Sequence, residues 1–369
     1  MEEFEYADEK ASDREIMIAV PSMIISVGVL SLPKDLADVT KFADGWFVIL
    51  IGGLIAILFT WLAARLAMNF PHQSFMSYAT LITTKPIAIV LSLFFSLCFI
   101  CISAYQIRKI ADISKQYLFN QTPMEIIALA FFLVVIYAVS GPTIGLLRLN
   151  MMFLPIIIFI SLIIIIFNLG WFSLDNLLPV FKTEMTGYAK GTFTSTLSYG
   201  GFSIVLFYIS LVKKPKKTAQ KAVIGMIIPI ILYSLIFISA LGVFGHSVTE
   251  NLLYPTVELA KTVDIPGGLL ERFESIFFVI WIMAIFNTTA MAFDIAIINM
   301  NAIFKKVRKM KMIFIFAPII YFISMLPSDL IDTNMFAMYI SRVSYLYTLF
   351  VILLLLIIAK MRGVWKSND

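Results

Sequence analysis

Charge is scarce in this chain. Only 14% of its 369 residues are Asp, Glu, Lys or Arg, against about 25% in a soluble domain. Histidine and cysteine are rarer still, at two each. Hydrophobic residues make up 60% and the mean hydropathy is +0.95. A soluble monomer of this make-up would leave large apolar patches in water. An ordinary soluble enzyme, a disordered chain and a nucleic-acid-binding domain are therefore excluded. Cys98 and Cys101 are too few for a disulfide scaffold or a cysteine-ligated zinc site. Inside an apolar run their C-x-x-C spacing reads as two small buried residues. His72 and His246 are far apart and fall in loops on opposite sides, so no metal site is expected. No phosphate loop, nucleophile elbow, paired catalytic carboxylates or dinucleotide fingerprint occurs. The expectation is a non-enzyme without a cofactor.

What the chain does contain is long apolar runs. A membrane-spanning helix needs about 20 apolar residues. Ten apolar stretches meet the pattern, all free of Asp, Glu, Lys and Arg except for Asp175 in the fifth: 16–33, 45–64, 86–107, 126–147, 149–181, 191–212, 222–249, 275–293, 312–328 and 343–359. The stretch 66–84 is charge-free but polar, with Asn69, His72, Gln73, Ser74 and Thr80, and reads as a loop with a short interfacial helix. Ser12 and Glu15 predict a capping box before the first span, and Thr122, Pro123 and Glu125 predict another before the fourth, with proline at the first helical position. The acidic start (Glu2, Glu3, Glu5, Asp8, Glu9) does not resemble a cleaved signal peptide. The expected fold is an all-α polytopic membrane protein, one transmembrane domain over 1–369.

Ten spans put both termini on one side. Eighteen of the 28 basic residues fall in the segments on that side, above all Lys213, Lys214, Lys216, Lys217 and Lys221, and Lys305, Lys306, Arg308, Lys309 and Lys311. Basic residues in short loops mark the cytoplasmic side. Both termini are therefore expected to be cytoplasmic, and the net charge of +5 signals topology rather than nucleic acid.

The spans divide into two sets of five, about 12–170 and 190–360, and an odd number per half inverts the second relative to the first. Transporters built from such inverted repeats place their site midway through the bilayer, where helices are interrupted at matched positions. The first span carries Ser26, Gly28, Ser31 and Pro33; the sixth carries Ser198-Tyr199-Gly200-Gly201-Phe202-Ser203. Gly weakens a helix, and Pro removes a backbone bond. Glycine in a membrane helix also serves close packing, and Pro155, Pro229 and Pro318 serve as simple kinks. The matched placement in spans one and six favours discontinuous helices around a polar site.

The chain resembles the B-subunit family of spore germinant receptors, a branch of the amino acid–polyamine–organocation transporter superfamily. The resemblance rests on Leu270-Glu271-Arg272-Phe273-Glu274-Ser275 with Trp281, on Gly28-Val29-Leu30-Ser31-Leu32-Pro33, on Asp44-Gly45-Trp46, and on Tyr254-Pro255-Thr256 and Leu326-Pro327. It implies ten helices in a five-plus-five inverted repeat with helices one and six discontinuous. It also implies a germinant-sensing protein of the spore inner membrane that works with an A subunit and a lipoprotein C subunit and binds a small nutrient, an amino acid above all. Family members often carry a glutamate two residues after the span-six glycine; Ser203 stands there. An amino acid/proton symporter is the alternative, and a structural subunit with a vestigial pocket is a second.

For a zwitterion, free N–H groups at a half-helix start suit the carboxylate. Gly28, Val29 and Leu30, with Ser26 and Ser31 beside them, form the expected cradle. Ser198, Tyr199, Gly200, Gly201 and Ser203 form the expected ammonium and side-chain wall. The resemblance adds spans three and eight: Cys98, Ile102 and Tyr105 on one helical face, and Asn287 with Thr288. Arg272, Glu274 and Arg342 are candidates for gating, and Asp294 for coupling or a partner contact; structural pairing and snorkelling are the plainer readings of such charges. Arg108 and Asp112 form an i,i+4 pair.

Overall fold

A computed structural model describes residues 10–213, 215–263 and 273–364. Among them the regular structure is helical, apart from one isolated parallel bridge between Ala11 and Val212. A bilayer imposes this, because a helix satisfies every backbone group within itself. In chain order the helices are α1 (Asp13–Ile24), α2 (Gly28–Ala37), α3 (Gly45–Met68), α4 (Phe75–Ile82), α5 (Lys85–Tyr117), α6 (Met124–Ser140), α7 (Thr143–Phe167), α8 (Met185–Ser198), α9 (Val205–Tyr208), α10 (Thr218–Phe244), α11 (His246–Thr249), α12 (Pro255–Lys261), α13 (Phe273–Ile303), α14 (Lys309–Ser324) and α15 (Leu330–Met361).

Six of these, α3, α5, α7, α10, α13 and α15, are long and apolar enough to cross a membrane, and the two bent pairs, in the first and sixth expected spans, bring the number to eight if each is one span. The expected ten is not reached by this measure. α6 has 17 residues and α14 has 16, both short of the about 20 that span a bilayer.

The charge-free windows also misplace helix ends. α5 runs on through Arg108, Lys109 and Asp112, and α15 begins before Asp332 and contains Arg342. Charges need not end a membrane helix when they are paired or reach the interface. The window 149–181 fails in the other direction: the long helix ends at Phe167, with short 3₁₀ turns after it.

The Ser12–Glu15 capping box forms as expected. The second cap does not: Pro123 precedes α6, and no side chain caps it. The short helix expected in 66–84 is α4, and it packs into the fold. Phe75, Tyr78, Ala79 and Ile82 are buried, and the Tyr78 hydroxyl donates to the Leu206 carbonyl at 2.9 Å. Arg362 donates to the carbonyls of Ile82 and Thr83, and Ala11 pairs with Val212 just beyond α9. These contacts gather α4 and both described chain ends toward one end of the bundle.

α13 lies at the centre, against α1, α5, α6 and α7, while α10 packs on α1 and α3. At Gly225 the α10 backbone meets the carbonyl of Met17 so closely that a Cβ would overlap it. Pro21 leaves that carbonyl without its helical donor, so a small residue is what allows the two helices to touch here.

Candidate functional site

The first break lies at Ile25–Val27, where α1 and α2 meet at 53°. Broken helices expose carbonyls on one side and N–H groups on the other. The carbonyls are taken by side chains from neighbouring helices. Thr288 Oγ1 donates within reach of Ser22 O and Met23 O, at 3.2 and 3.3 Å. The Tyr233 hydroxyl donates to Ile24 O at 2.8 Å, and Trp281 Nε1 to Ser26 O at 3.2 Å. Gln106 Nε2 donates to the Ser26 hydroxyl at 3.1 Å. Pro33 lies inside α2 rather than at the break, and the Val29 carbonyl it leaves free accepts from Thr256 Oγ1 at 2.6 Å. The donor side differs. The N–H groups of Gly28 and Val29 open α2 and find no acceptor among the described residues.

The second break follows Ser198. Gly200–Ile204 forms a 3₁₀ turn before α9, and the two parts of the span meet at 40°. It is held chiefly by aromatic packing. The buried Tyr199 stacks on Tyr233 at 5.5 Å, and Tyr345 stands edge-on to Phe202 at 5.9 Å. The two breaks touch at Gly201, where a Cβ would lie 2.8 Å from the Ile24 side chain and 3.1 Å from the Met23 backbone. A Cβ at Gly28 would lie 3.0 Å from the Tyr233 hydroxyl.

The structure thus brings Gly28, Gly201 and Thr288 into one neighbourhood through Ile24, Met23 and Tyr233, with Ser26 in the same break, while Gly200 meets Tyr345. Ser203 is buried in the 3₁₀ turn, and the Ser198 hydroxyl turns back to Thr194 O at 3.3 Å. Leu30 is buried, and Ser31 stands beside Asp35 farther along α2. Asn287 is buried with both amide atoms unpaired. Buried polar groups ordinarily have partners, so a group of this kind points to something that is not protein. Cys98 is buried next to Ser344. Ile102 is partly buried, and Tyr105 lies farther out along α5, beside Asp35 and Tyr254. Gln106, Tyr233 and Tyr345 are central residues that sequence reasoning passed over. Their signal was present, since each places a polar atom within an apolar helix.

Asp294 is fully buried. Its carboxylate accepts from Lys309 Nζ and Thr143 Oγ1, both at 3.0 Å, and from the Tyr208 hydroxyl at 3.3 Å. Lys309 also donates to Gly141 O at 2.8 Å. One carboxylate thereby ties α13 to α7, α9 and α14. Arg342 is exposed, over the Phe193 ring at 6.0 Å. Arg272 lies outside the described residues, and Glu274 opens α13. The Arg108–Asp112 pair forms at 3.0 Å, buried, with Thr333 on the second carboxylate oxygen. Among the described residues no group of three or more His, Cys, Asp or Glu could hold a metal ion.

Three comparisons bear on this arrangement. A family model described as spore germination protein matches residues 10–333. The chain is 41% identical to spore germination protein GerLB of Bacillus cereus, over all of this chain and 99% of the relative. It is 28% identical to spore germination protein YndE of Bacillus subtilis (strain 168), over 94% of this chain and 96% of the relative. Among solved structures it superposes on Mhp1, a nucleobase-cation-symport-1 family transporter in a closed conformation with bromovinylhydantoin bound. The TM-score there is 0.66 at 13% identity, covering 89% of this chain and 75% of the other. At that identity the likeness speaks for the fold alone, a polytopic helical transporter fold.

Proposed function

The chain belongs to the spore germination protein family, and from that premise we propose that it is the nutrient-sensing membrane subunit of a spore germinant receptor. Its ligand is a small zwitterion, an amino acid in the first place, bound where the two broken helices meet. The family is one of transporter-like membrane proteins, not of enzymes. The observation that carries the reading is the pairing of unused N–H groups at Gly28 and Val29 with the unpaired buried amide of Asn287. Preorganised N–H groups at a half-helix start favour a carboxylate, and an amide oxygen accepts from an ammonium.

In this reading α6 and α14 complete ten spans in two inverted sets of five. Both termini face the cytoplasm, and the protein sits in the spore inner membrane with an A subunit and a lipoprotein C subunit. Ligand binding shifts a transporter-like equilibrium that the partners read. Spore germination proteins A2 and B2 of Bacillus subtilis (strain 168), at 28% and 26% identity, make such an assembly the natural one to test.

The direct test is thermal unfolding of the full-length protein in lipid nanodiscs with each of the twenty amino acids in turn. One or a few should raise the midpoint, and the Gly201→Leu protein should lose that rise. If none of the twenty shifts a folded sample, the amino acid reading is lost. The symporter alternative requires uptake against a gradient in proteoliposomes. Binding without uptake separates a receptor from it.

A further inference from the structure

Residues 168–184 join α7 to α8 and hold only two short 3₁₀ turns, Asn168–Trp171 and Leu174–Leu177. This strap lies at the end of the bundle away from the described chain ends. α7 begins at the Asp294 carboxylate, where Thr143 donates, and α10 begins where Thr218 meets Asp13. The strap follows the other end of α7 and crosses the other end of α10. There the Ser173 N–H donates to Gly242 O at 2.9 Å and Asn176 Nδ2 to the same carbonyl at 2.8 Å. The Phe172 ring covers Gly242 so closely that a Cβ would overlap it. Farther on, the buried Asp44 carboxylate accepts from the N–H groups of Phe181, Lys182 and Thr183 at 2.5, 2.8 and 2.8 Å. It also accepts from the Tyr188 hydroxyl at 3.0 Å. Hydrogen bonds to a charged acceptor are about twice as strong as neutral ones, so one side chain fixes the strap to the starts of α3 and α8.

The backbone of the strap is held inward, and its side chains face out. Leu169, Trp171, Leu174, Leu178, Phe181 and the adjoining Met185 are each more than half exposed. Phe181 has φ 57°, a left-handed conformation uncommon in a bulky residue. Asp44 holds its N–H there, and its ring stands edge-on to Trp46 and Phe47 at 6.5 and 6.4 Å. The exposed charges of the strap are Asp175, Lys182 and Glu184, mixed in sign. They offer little to a strongly charged partner, and the apolar side chains are more than a water-facing surface ordinarily carries.

The membrane face supplies the occupant. α7 exposes Phe159 and Ile166, α10 exposes Ile231 and Leu235, and α3 exposes Leu50 and Leu54. The strap runs from the end of the first helix, past the second, to the third, so its apolar side chains continue a surface that lipid already covers. Irregular backbone does not face lipid within the hydrocarbon core. That leaves the interface, where aromatic side chains collect and charged ones reach water.

We propose that residues 169–185 form an interfacial rim, seated among the lipids of the leaflet opposite the chain ends. Trp171, Leu174, Leu178, Phe181 and Met185 enter the boundary between headgroups and acyl chains, and Asp175, Lys182 and Glu184 stay at headgroup level. Because Asp44 also receives Tyr188, the rim sets the level of α8 in the bilayer, and α8 is the half-helix that leads to the second break. The inference is independent of what the protein binds.

The test is spin labelling of the full-length protein, one copy to each phosphatidylcholine nanodisc. Single cysteines replace Leu174, Leu178 and Met185 in a background carrying Cys98→Ala and Cys101→Ala. Ile166→Cys is the lipid-facing control and Lys306→Cys the water-facing one. Collisions with oxygen, which concentrates in lipid, are compared with collisions with a water-soluble nickel chelate. The strap labels should favour oxygen, less strongly than Ile166→Cys, and Lys306→Cys should favour the chelate. Strap labels that behave like Lys306→Cys place the strap in water and overturn the rim. Labels shielded from both reagents place it against protein and overturn it as well. A second reading keeps the native cysteines: lipids brominated near the headgroup end of their chains should quench tryptophan fluorescence more in the parent than in Trp171→Phe. Equal quenching of the two again overturns the rim.

Discussion

The two ends of the bundle are built on opposite plans. Toward the chain ends, Asp294 is fully buried and its carboxylate receives three donors from three other helices. Toward the far end, Asp35 meets water and Lys109 keeps donors unspent. The first arrangement is a sealed knot, and the second leaves a carboxylate exposed to water. Between them lie the breaks, whose carbonyls are all but spoken for and whose N–H groups are not. The contrast teaches that polar groups within this membrane protein divide into those spent on the fold and those held in reserve.

The most damaging way to break the contrast is at the knot. Asp294→Ala leaves Lys309 facing an uncompensated site and frees Thr143 and Tyr208. It should destabilise the protein by about 3 kcal/mol, read as a fall in the unfolding midpoint in nanodiscs. Adding Lys309→Met should recover part of the loss, because the orphaned charge goes with it. A single variant as stable as the parent would show that the knot holds nothing together.

The next largest effect is expected at the first break. Tyr233→Phe strands the Ile24 carbonyl and should cost about 1–2 kcal/mol. The same measurement on Trp281→Phe tests the Ser26 carbonyl, with a similar expectation. Both are spent groups, so both should behave as ordinary structural hydrogen bonds.

Asn287 should behave in the opposite sense. Its amide has no partner to lose, so Asn287→Leu should leave stability unchanged or raise it by up to about 1 kcal/mol. The same variant should abolish stabilisation by the ligand. Destabilisation with ligand binding intact would mean that Asn287 belongs with the spent groups. The smallest effect is expected at Arg342, where the exposed contact with Phe193 is worth about 0.5–1 kcal/mol. Arg342→Gln should change neither binding nor response appreciably, and a large loss of response would revive a gating role.

Much of the fold was readable from particular residues. The Ser12–Glu15 cap and the breaks within the first and sixth spans stand where expected. The failures share a cause. Helix ends were read from charge, yet α5 carries Arg108, Lys109 and Asp112 inside it, because Arg108 and Asp112 pair with each other and Lys109 finds the Asn334 amide. The polar stretch 66–84 holds a short helix, α4, whose packing rests on Tyr78 finding the Leu206 carbonyl across the fold. The site was legible in its glycines and not in its clamps. Gln106, Tyr233 and Trp281 matter through carbonyls that are distant in the chain, and no local pattern announces such a partner.

By itself, the sequence determined that this protein lives in a bilayer, because so apolar a chain has no other solvent. It also determined where two helices would be weak, because glycine and proline act on the local backbone. Only the tertiary structure decided which of the freed groups are spent and which stay available. That depends on donors arriving from helices hundreds of residues away, and their arrival is a matter of packing rather than of pattern.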